Sequence, residues 1–239
     1  MLSLIFDIDD TLYARITPFL QAIQKTFGNE SAGLAVDDYL LFKQFIKRGN
    51  EVFEDSMTGA MSMENMWVYR IQRSLEDFGI PVTREKALEF QTAYDWFQHH
   101  IKPSAVITKL LDQCKEKGIF LGVITNGKSG HQRMKYNALE LGRWIPEENL
   151  LITEDIGVNK PDPAVFRAAE KQMHLDLDET WYIGDSYEHD IVGAYAAGWH
   201  VIWLDRHRKI ESMTECVADH VVHTEEELQK CIEQILIVQ

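Results

Sequence analysis

Short apolar runs rich in β-branched residues recur along this chain, and most are separated by stretches of helical character. That alternation constrains the fold more than any other feature. The runs are Leu2–Phe6, Phe120–Thr125, Leu150–Thr153, Thr180–Ile183 and Val201–Leu204, with a weaker one at Val221–Val222. Ile107–Lys117 and Gly130–Leu141 read as helices that stop at Gly118 and Gly142, and Asp190–Ala197 as one that stops at Gly198. Pro163–Met173 has proline near its start, and Glu225–Ile235 follows the last run. Glycine after a helix and proline at its first turn are ordinary boundary signals. Strands alternating with helices predict an α/β fold, a Rossmann-like parallel sheet with helices on both faces. Right-handed crossovers then place a site beyond the carboxyl ends of the strands.

One segment departs from the alternation. From about Arg15 to Lys102 the spacing is helical and no strand is evident. Phe19, Ala22, Ile23 and Phe27 have core spacing, as do Tyr39, Leu40, Phe42, Phe45 and Ile46, and then Trp67, Ile71 and Leu75. A helical insertion after the first strand is expected, with residues 1–14 and 103–239 as the core and 15–102 as a second domain. Its ends would be hinge-like, near Tyr13–Pro18 and His99–Ser104.

Composition narrows the function classes. The net charge of −14 over 239 residues argues against a nucleic-acid polymer as partner, because backbone binding needs a basic surface. Cys114, Cys216 and Cys231 are scattered and form no C-x-x-C, so neither a disulfide framework nor a zinc site is expected. With no apolar segment of about 18 residues and no basic, signal-like start, the expectation is a cytoplasmic protein with no membrane partner, either monomer or homodimer.

The chemistry gathers at predicted strand ends. Asp7 and Asp9 follow the first run at i, i+2, so on a continued strand both carboxylates point one way. Like charges aimed at one spot repel unless a cation or proton lies between them. An acidic helix cap at Asp10 or Thr11 is the plain alternative. Thr125-Asn126-Gly127 ends the second run, where a hydroxyl and backbone N–H groups suit a phosphate, although Asn-Gly is also an everyday turn. Lys160 lies before Pro161, which forces an extended approach. Gly184-Asp185-Ser186 with Asp190 ends the fourth run; Asp185 or Ser186 is also a plain helix cap there.

Taken in order, Asp7-x-Asp9-x-Thr11, Thr125, Lys160-Pro161 and Gly184-Asp185-x-x-x-x-Asp190 resemble the haloacid dehalogenase superfamily of phosphohydrolases. The insertion resembles that superfamily's C1-type cap, in a subgroup holding nucleotidases and small-molecule phosphatases. The resemblance implies an aspartyl-phosphate on Asp7, with Asp9 as general acid and then base. It implies that Thr125 and the backbone near Asn126 and Gly127 hold phosphoryl oxygens while Lys160 neutralises charge. Mg²⁺ would bind Asp7, Asp185 and the Asp9 backbone carbonyl, and Asp190 would orient the metal's waters or Lys160. The implied substrate is a small phosphorylated metabolite, a nucleoside monophosphate before a sugar phosphate. An acid at Asp9 disfavours dehalogenation and phosphonate cleavage; a phosphomutase would keep every core residue.

Gly122–Ser129 also fits the P-loop pattern G-x-x-x-x-G-K-S. That reading makes Val123-Ile124-Thr125 loop although they look like strand, and it leaves Asp7, Asp9 and Lys160 without work. A non-enzymatic module of the same fold is a third reading, disfavoured because no catalytic position is missing. Tyr13 and Lys128 are possible substrate contacts, and His131 also starts the helix after the phosphate turn. In the insertion the candidates are Phe53, Trp67, Arg70, Arg73, Trp96, His99 and His100. Trp67 and Trp96 are expected to pack that domain's own core, Arg70 and Arg73 to form a solvated face, and His189 to lie at the surface.

Overall fold

A computed structural model describes residues 2–28 and 36–238. The chain divides into two compact units, Met1–Ala14 with Ile101–Gln239, and Arg15–His100.

The larger unit is built on six parallel strands: β1 (Ser3–Phe6), β2 (Phe120–Thr125), β3 (Leu150–Ile152), β4 (Thr180–Gly184), β5 (His200–Leu204) and β6 (His220–Val222). Their order in the sheet is β3-β2-β1-β4-β5-β6. The chain winds outward from β1 through β2 to β3, then returns to the other side of β1 for β4. That reversal opens a crevice at the carboxyl ends of β1, β2 and β4. Phe6 is level with Val123 on one side and Ile183 on the other, so Asp7, Thr125 and Asp185 emerge close together.

Side-chain alternation divides the core in two. Leu4 and Phe6 face a layer with Ile107, Leu110 and Leu111, together with Leu228 and Ile232. These come from α6 (Ala105–Glu116) and α11 (Glu225–Val238). Ile5, Tyr182 and Trp203 face Val165, Phe166 and Ala169 of α9 (Pro163–Met173) and Ala194 of α10 (Val192–Ala196). Central strands covered on both faces favour apolar residues on both, which is why Leu4, Ile5 and Phe6 follow one another without a polar break. Between them, α7 (Ser129–Ala138) follows β2, and α8 (Thr153–Ile156) follows β3. Thr153, expected in the third strand, therefore opens a helix instead.

Gly193 lets α10 approach the chain closely. A side-chain carbon there would lie 2.8 Å from the Phe166 ring and 2.9 Å from the Pro161 backbone. Since Pro161 is backbone next to Lys160, it has little freedom to yield.

The helical unit comprises α1 (Ile16–Phe27), α2 (Asp38–Glu51), α3 (Phe53–Thr58), α4 (Met63–Glu76) and α5 (Arg84–Gln98). Asp37, Ser62 and Thr83 cap α2, α4 and α5 by accepting a backbone N–H. Phe19, Phe42, Phe45, Phe90 and Tyr94 form an aromatic core with ring centroids 4.8–6.5 Å apart. Three expectations for this unit fail. Leu40 is 53% exposed and Leu41 takes the core position, because either leucine satisfies the helical period. Trp96 is 56% exposed and stacks on His100 rather than entering the core. Arg70, expected on a solvated face, lies over the rings of Phe45 and Tyr94 and donates to Gln91. Its long stem suits an apolar neighbourhood and its planar head suits ring faces. Among the described residues no helix is long and apolar enough to cross a membrane.

Gly193→Ala is expected to lower stability by about 1–3 kcal/mol, the usual cost of overpacking against a rigid neighbour. Urea unfolding measures this; an unchanged midpoint would show that the Pro161 segment yields freely.

Candidate active site

Lys160 is 3% exposed, and its ammonium is the centre of the site. Nζ donates to Asp7 Oδ1 at 2.8 Å, Asp190 Oδ1 at 2.6 Å, the Tyr182 hydroxyl at 2.8 Å and the Ile124 carbonyl at 3.2 Å. Four acceptors compete for three protons, and Tyr182 relieves the excess by donating its own proton to the Ile124 carbonyl at 2.9 Å. A buried ammonium is tolerated only with such a shell.

The neighbouring elements hold this lysine in place. Asn126 accepts from the Lys160 N–H at 2.9 Å and donates to the Lys160 carbonyl at 3.1 Å. Its side chain thus clamps the lysine's backbone. The second oxygen of Asp190 accepts the Ser186 N–H at 3.0 Å. Gly184 is required by the same arrangement, since any side chain there would collide with the Asp190 carboxyl. The Trp203 indole donates to the Asp185 carbonyl at 3.0 Å and fixes that turn.

Carboxylate oxygens of Asp7, Asp185 and Asp190 lie within 4.8 Å of one another. Burial, opposed by Lys160 and reinforced by the charge of Asp190, pushes the Asp7 carboxyl up to about 7. Its two carboxylate neighbours push Lys160 far above the ordinary lysine range despite its burial. Three carboxylates face one ammonium, so the ionised cluster is short of positive charge. An all-oxygen donor set with that deficit suits a hard divalent cation such as Mg²⁺. Both oxygens of Asp190 are engaged, by Lys160 and by Ser186, whereas Lys160 engages one oxygen of Asp7.

The Thr125 hydroxyl is buried and has no hydrogen-bond partner among the described residues, and the same holds for Thr11. A buried hydroxyl without a partner is costly, so Thr125 at the end of β2 is suited to an incoming oxyanion. The Gly127 N–H instead meets the Thr153 hydroxyl at 3.3 Å, which weakens the case for it as a phosphate donor. Gly127 has φ 137, a conformation side chains resist. Lys128 is exposed and pairs with Glu154 at 2.7 Å. Tyr13 is buried and donates to Asp9 Oδ1 at 2.6 Å. His189 is exposed beside Ser186, and His99 and His100 bond to backbone carbonyls at the end of α5. The P-loop arrangement is not formed, because β2 runs through Thr125.

Sequence reasoning missed several residues. Lys135 and Gln132 reach Asp9 from α7, and Arg206 donates to the carbonyls of Asp10 at 2.8 Å and Thr11 at 3.4 Å. The latter steadies a turn in which Asp10 has φ 58. Spacing i, i+3 on the helix after the phosphate turn was the available signal for Gln132 and Lys135. No local pattern marks Tyr182 or Arg206, which reach the site only through tertiary pairing.

A family model described as haloacid dehalogenase-like hydrolase matches residues 4–204. The chain belongs to the haloacid dehalogenase-like hydrolases. A glyceraldehyde 3-phosphate phosphatase of Methanopyrus kandleri is 27% identical over 85% of this chain and 84% of its own. A ribulose-1,5-bisphosphate 5-phosphatase of Halopiger xanaduensis is 27% identical over 95% of this chain and 97% of its own. The crystal structure of a putative HAD-hydrolase, YfnB from Bacillus subtilis, matches with TM-score 0.66 and 22% identity, covering 97% of this chain and 98% of that one. For this haloacid dehalogenase-like hydrolase that likeness shows a shared fold.

Asn126→Ala is expected to cost about 1–3 kcal/mol through two lost hydrogen bonds to the buried Lys160 backbone. Lys128→Ala, in an exposed ion pair, should leave the denaturation midpoint where it was. Thermal melts of the two variants side by side check the contrast; equal effects would contradict the clamp.

Proposed function

We propose that this hydrolase is a Mg²⁺-dependent phosphatase that cleaves a small phosphate monoester through an aspartyl-phosphate on Asp7. The observation that carries it is the buried Lys160 shared by Asp7 and Asp190, one strand end away from the Thr125 hydroxyl, which has no partner among the described residues. Relatives named for glyceraldehyde 3-phosphate, ribulose-1,5-bisphosphate and phosphoserine agree on the reaction class and on small phosphorylated alcohols as substrates.

In this reading an Asp7 oxygen attacks phosphorus and the bond to the substrate oxygen breaks. Asp9 gives its proton to that oxygen, which leaves as an alcohol. Asp9 then takes a proton from water as the water attacks phosphorus, the bond to Asp7 breaks and inorganic phosphate departs. Thr125 holds a phosphoryl oxygen, and Lys160 neutralises charge on Asp7 and the phosphoryl group throughout. Asp7, Asp185 and the Asp9 backbone carbonyl would hold Mg²⁺, which supplies the positive charge the cluster lacks. Helical residues Arg15–His100 stand in the chain where the superfamily's C1 cap is inserted, and we assign them that role.

A panel of triose phosphates, sugar phosphates, phosphoserine and nucleoside monophosphates, read as Mg²⁺-dependent phosphate release, tests the activity. Asp7→Asn should reduce turnover by about a thousandfold or more, as loss of a nucleophile does. Near-normal rates in that variant would remove the mechanism.

Proton linkage gives a second check. With Asp7 pushed up to about 7, the metal-free carboxyl carries a proton below that pH and must release it to bind a cation. Apparent Mg²⁺ affinity should therefore weaken by up to about tenfold per pH unit below roughly 7, and level off above it. Calorimetric titration with Mg²⁺ between about pH 6 and 8 measures this; an affinity flat across that range would contradict the assignment.

A further inference from the structure

Lys135 is a buried charge that the mechanism above does not use. It is 5% exposed on the inner face of α7, beside Gln132 at 3% and Tyr136 at 8%. Its Nζ donates to both oxygens of Asp9, at 2.7 and 2.6 Å. Gln132, one turn earlier, directs Nε2 to the Asn126 carbonyl at 2.9 Å and towards Asp9 Oδ2 at 3.4 Å. Tyr13 also donates to Asp9 Oδ1. The Asp9 carboxylate is thus gripped by donors from its own turn and from α7.

Packing does not call for a lysine here. Its position on the helix faces the core, where leucine or methionine would fill the space without the cost of desolvating an ammonium. A lysine is intelligible there only as a partner for a carboxylate that must sit in one place. α7 starts directly after the turn carrying Thr125, so the same helix joins the group that holds the phosphoryl oxygen to the group that moves protons.

We propose that Lys135 is a positioning residue for Asp9, setting the carboxylate in register with the Thr125 turn so that it meets the water it deprotonates. The proposal deepens the reading of Asp9 as acid and base, and rests on it. Gln132 plays the supporting part, tying Asp9 to the Asn126 carbonyl.

A double-mutant cycle tests it, with 4-nitrophenyl phosphate as substrate so that the slow variants stay measurable. Lys135→Met in the intact chain should lower kcat by about ten- to a hundredfold with KM changed by less than about threefold, since the lysine touches Asp9 and not substrate. In an Asp9→Asn background the same substitution should change kcat by less than about threefold, because the group it acts through is gone. A lysine that served only to support the fold would give the same factor in both backgrounds, and that result would overturn the proposal, as would an unaltered kcat in the single variant. Circular dichroism confirms folding. Should Lys135→Met not fold, Lys135→Ala, which removes the donor without adding bulk, enters the same cycle with the same two outcomes. Failure of the underlying reading looks different: Asp9→Asn itself would then turn over at the wild-type rate.

Discussion

One ammonium group between two buried carboxylates is the constraint on which this molecule depends. Lys160 must be charged to be tolerated beside Asp7 and Asp190, and they must be held against it to be tolerated away from water. Tyr182, the Ile124 carbonyl, Asn126 and Ser186 complete the arrangement. Breaking one member leaves a desolvated charge, so the cluster acts as a unit. Its shortage of positive charge is what the proposed cation would make good, and with that charge an acidic chain could take a phosphate.

The fold exists to bring these groups together from distant parts of the chain. Asp7 and Lys160 lie on opposite sides of a long stretch of sequence and meet because β1 sits centrally, with β2 and β4 as its neighbours. The reversal of winding at β1 exposes the carboxyl ends of these strands in one crevice. Gly184 and Gly193 are small because backbone or carboxylate occupies the space their side chains would take. Asp205, buried and accepting the N–H groups of Lys209 and Ile210, does comparable work after β5 by fixing the turn that presents Arg206 to the first motif.

Much of this was legible in the sequence, for identifiable reasons. Strands buried on both faces leave unbroken apolar runs, so the sheet could be read almost strand by strand. Asp7 and Asp185 stand immediately after such strands and Thr125 is the last residue of one, and strand ends are where an α/β sheet places its chemistry. The P-loop pattern could be set aside because Val123 and Ile124 belong in a strand, and they are in one. What could not be read depends on tertiary burial. Periodicity gives Leu40 and Leu41 equal claims to the core. It cannot tell that Arg70 goes under cover or that Trp96 stays out, because long amphipathic side chains satisfy either environment. The burial of Lys135 and the hydroxyl of Tyr182 become meaningful only once Asp9 and Lys160 are placed against them.

The central claim is that Asp7 becomes covalently phosphorylated beside Lys160. The most direct measurement is rapid acid quenching of the Mg²⁺-loaded enzyme during turnover of a phosphate monoester, followed by mass spectrometry of the peptide that carries Asp7. The account predicts one added phosphoryl group on Asp7, absent when substrate is omitted. A peptide that stays unmodified while phosphate is being released, or a phosphoryl group found on a different residue, would contradict it.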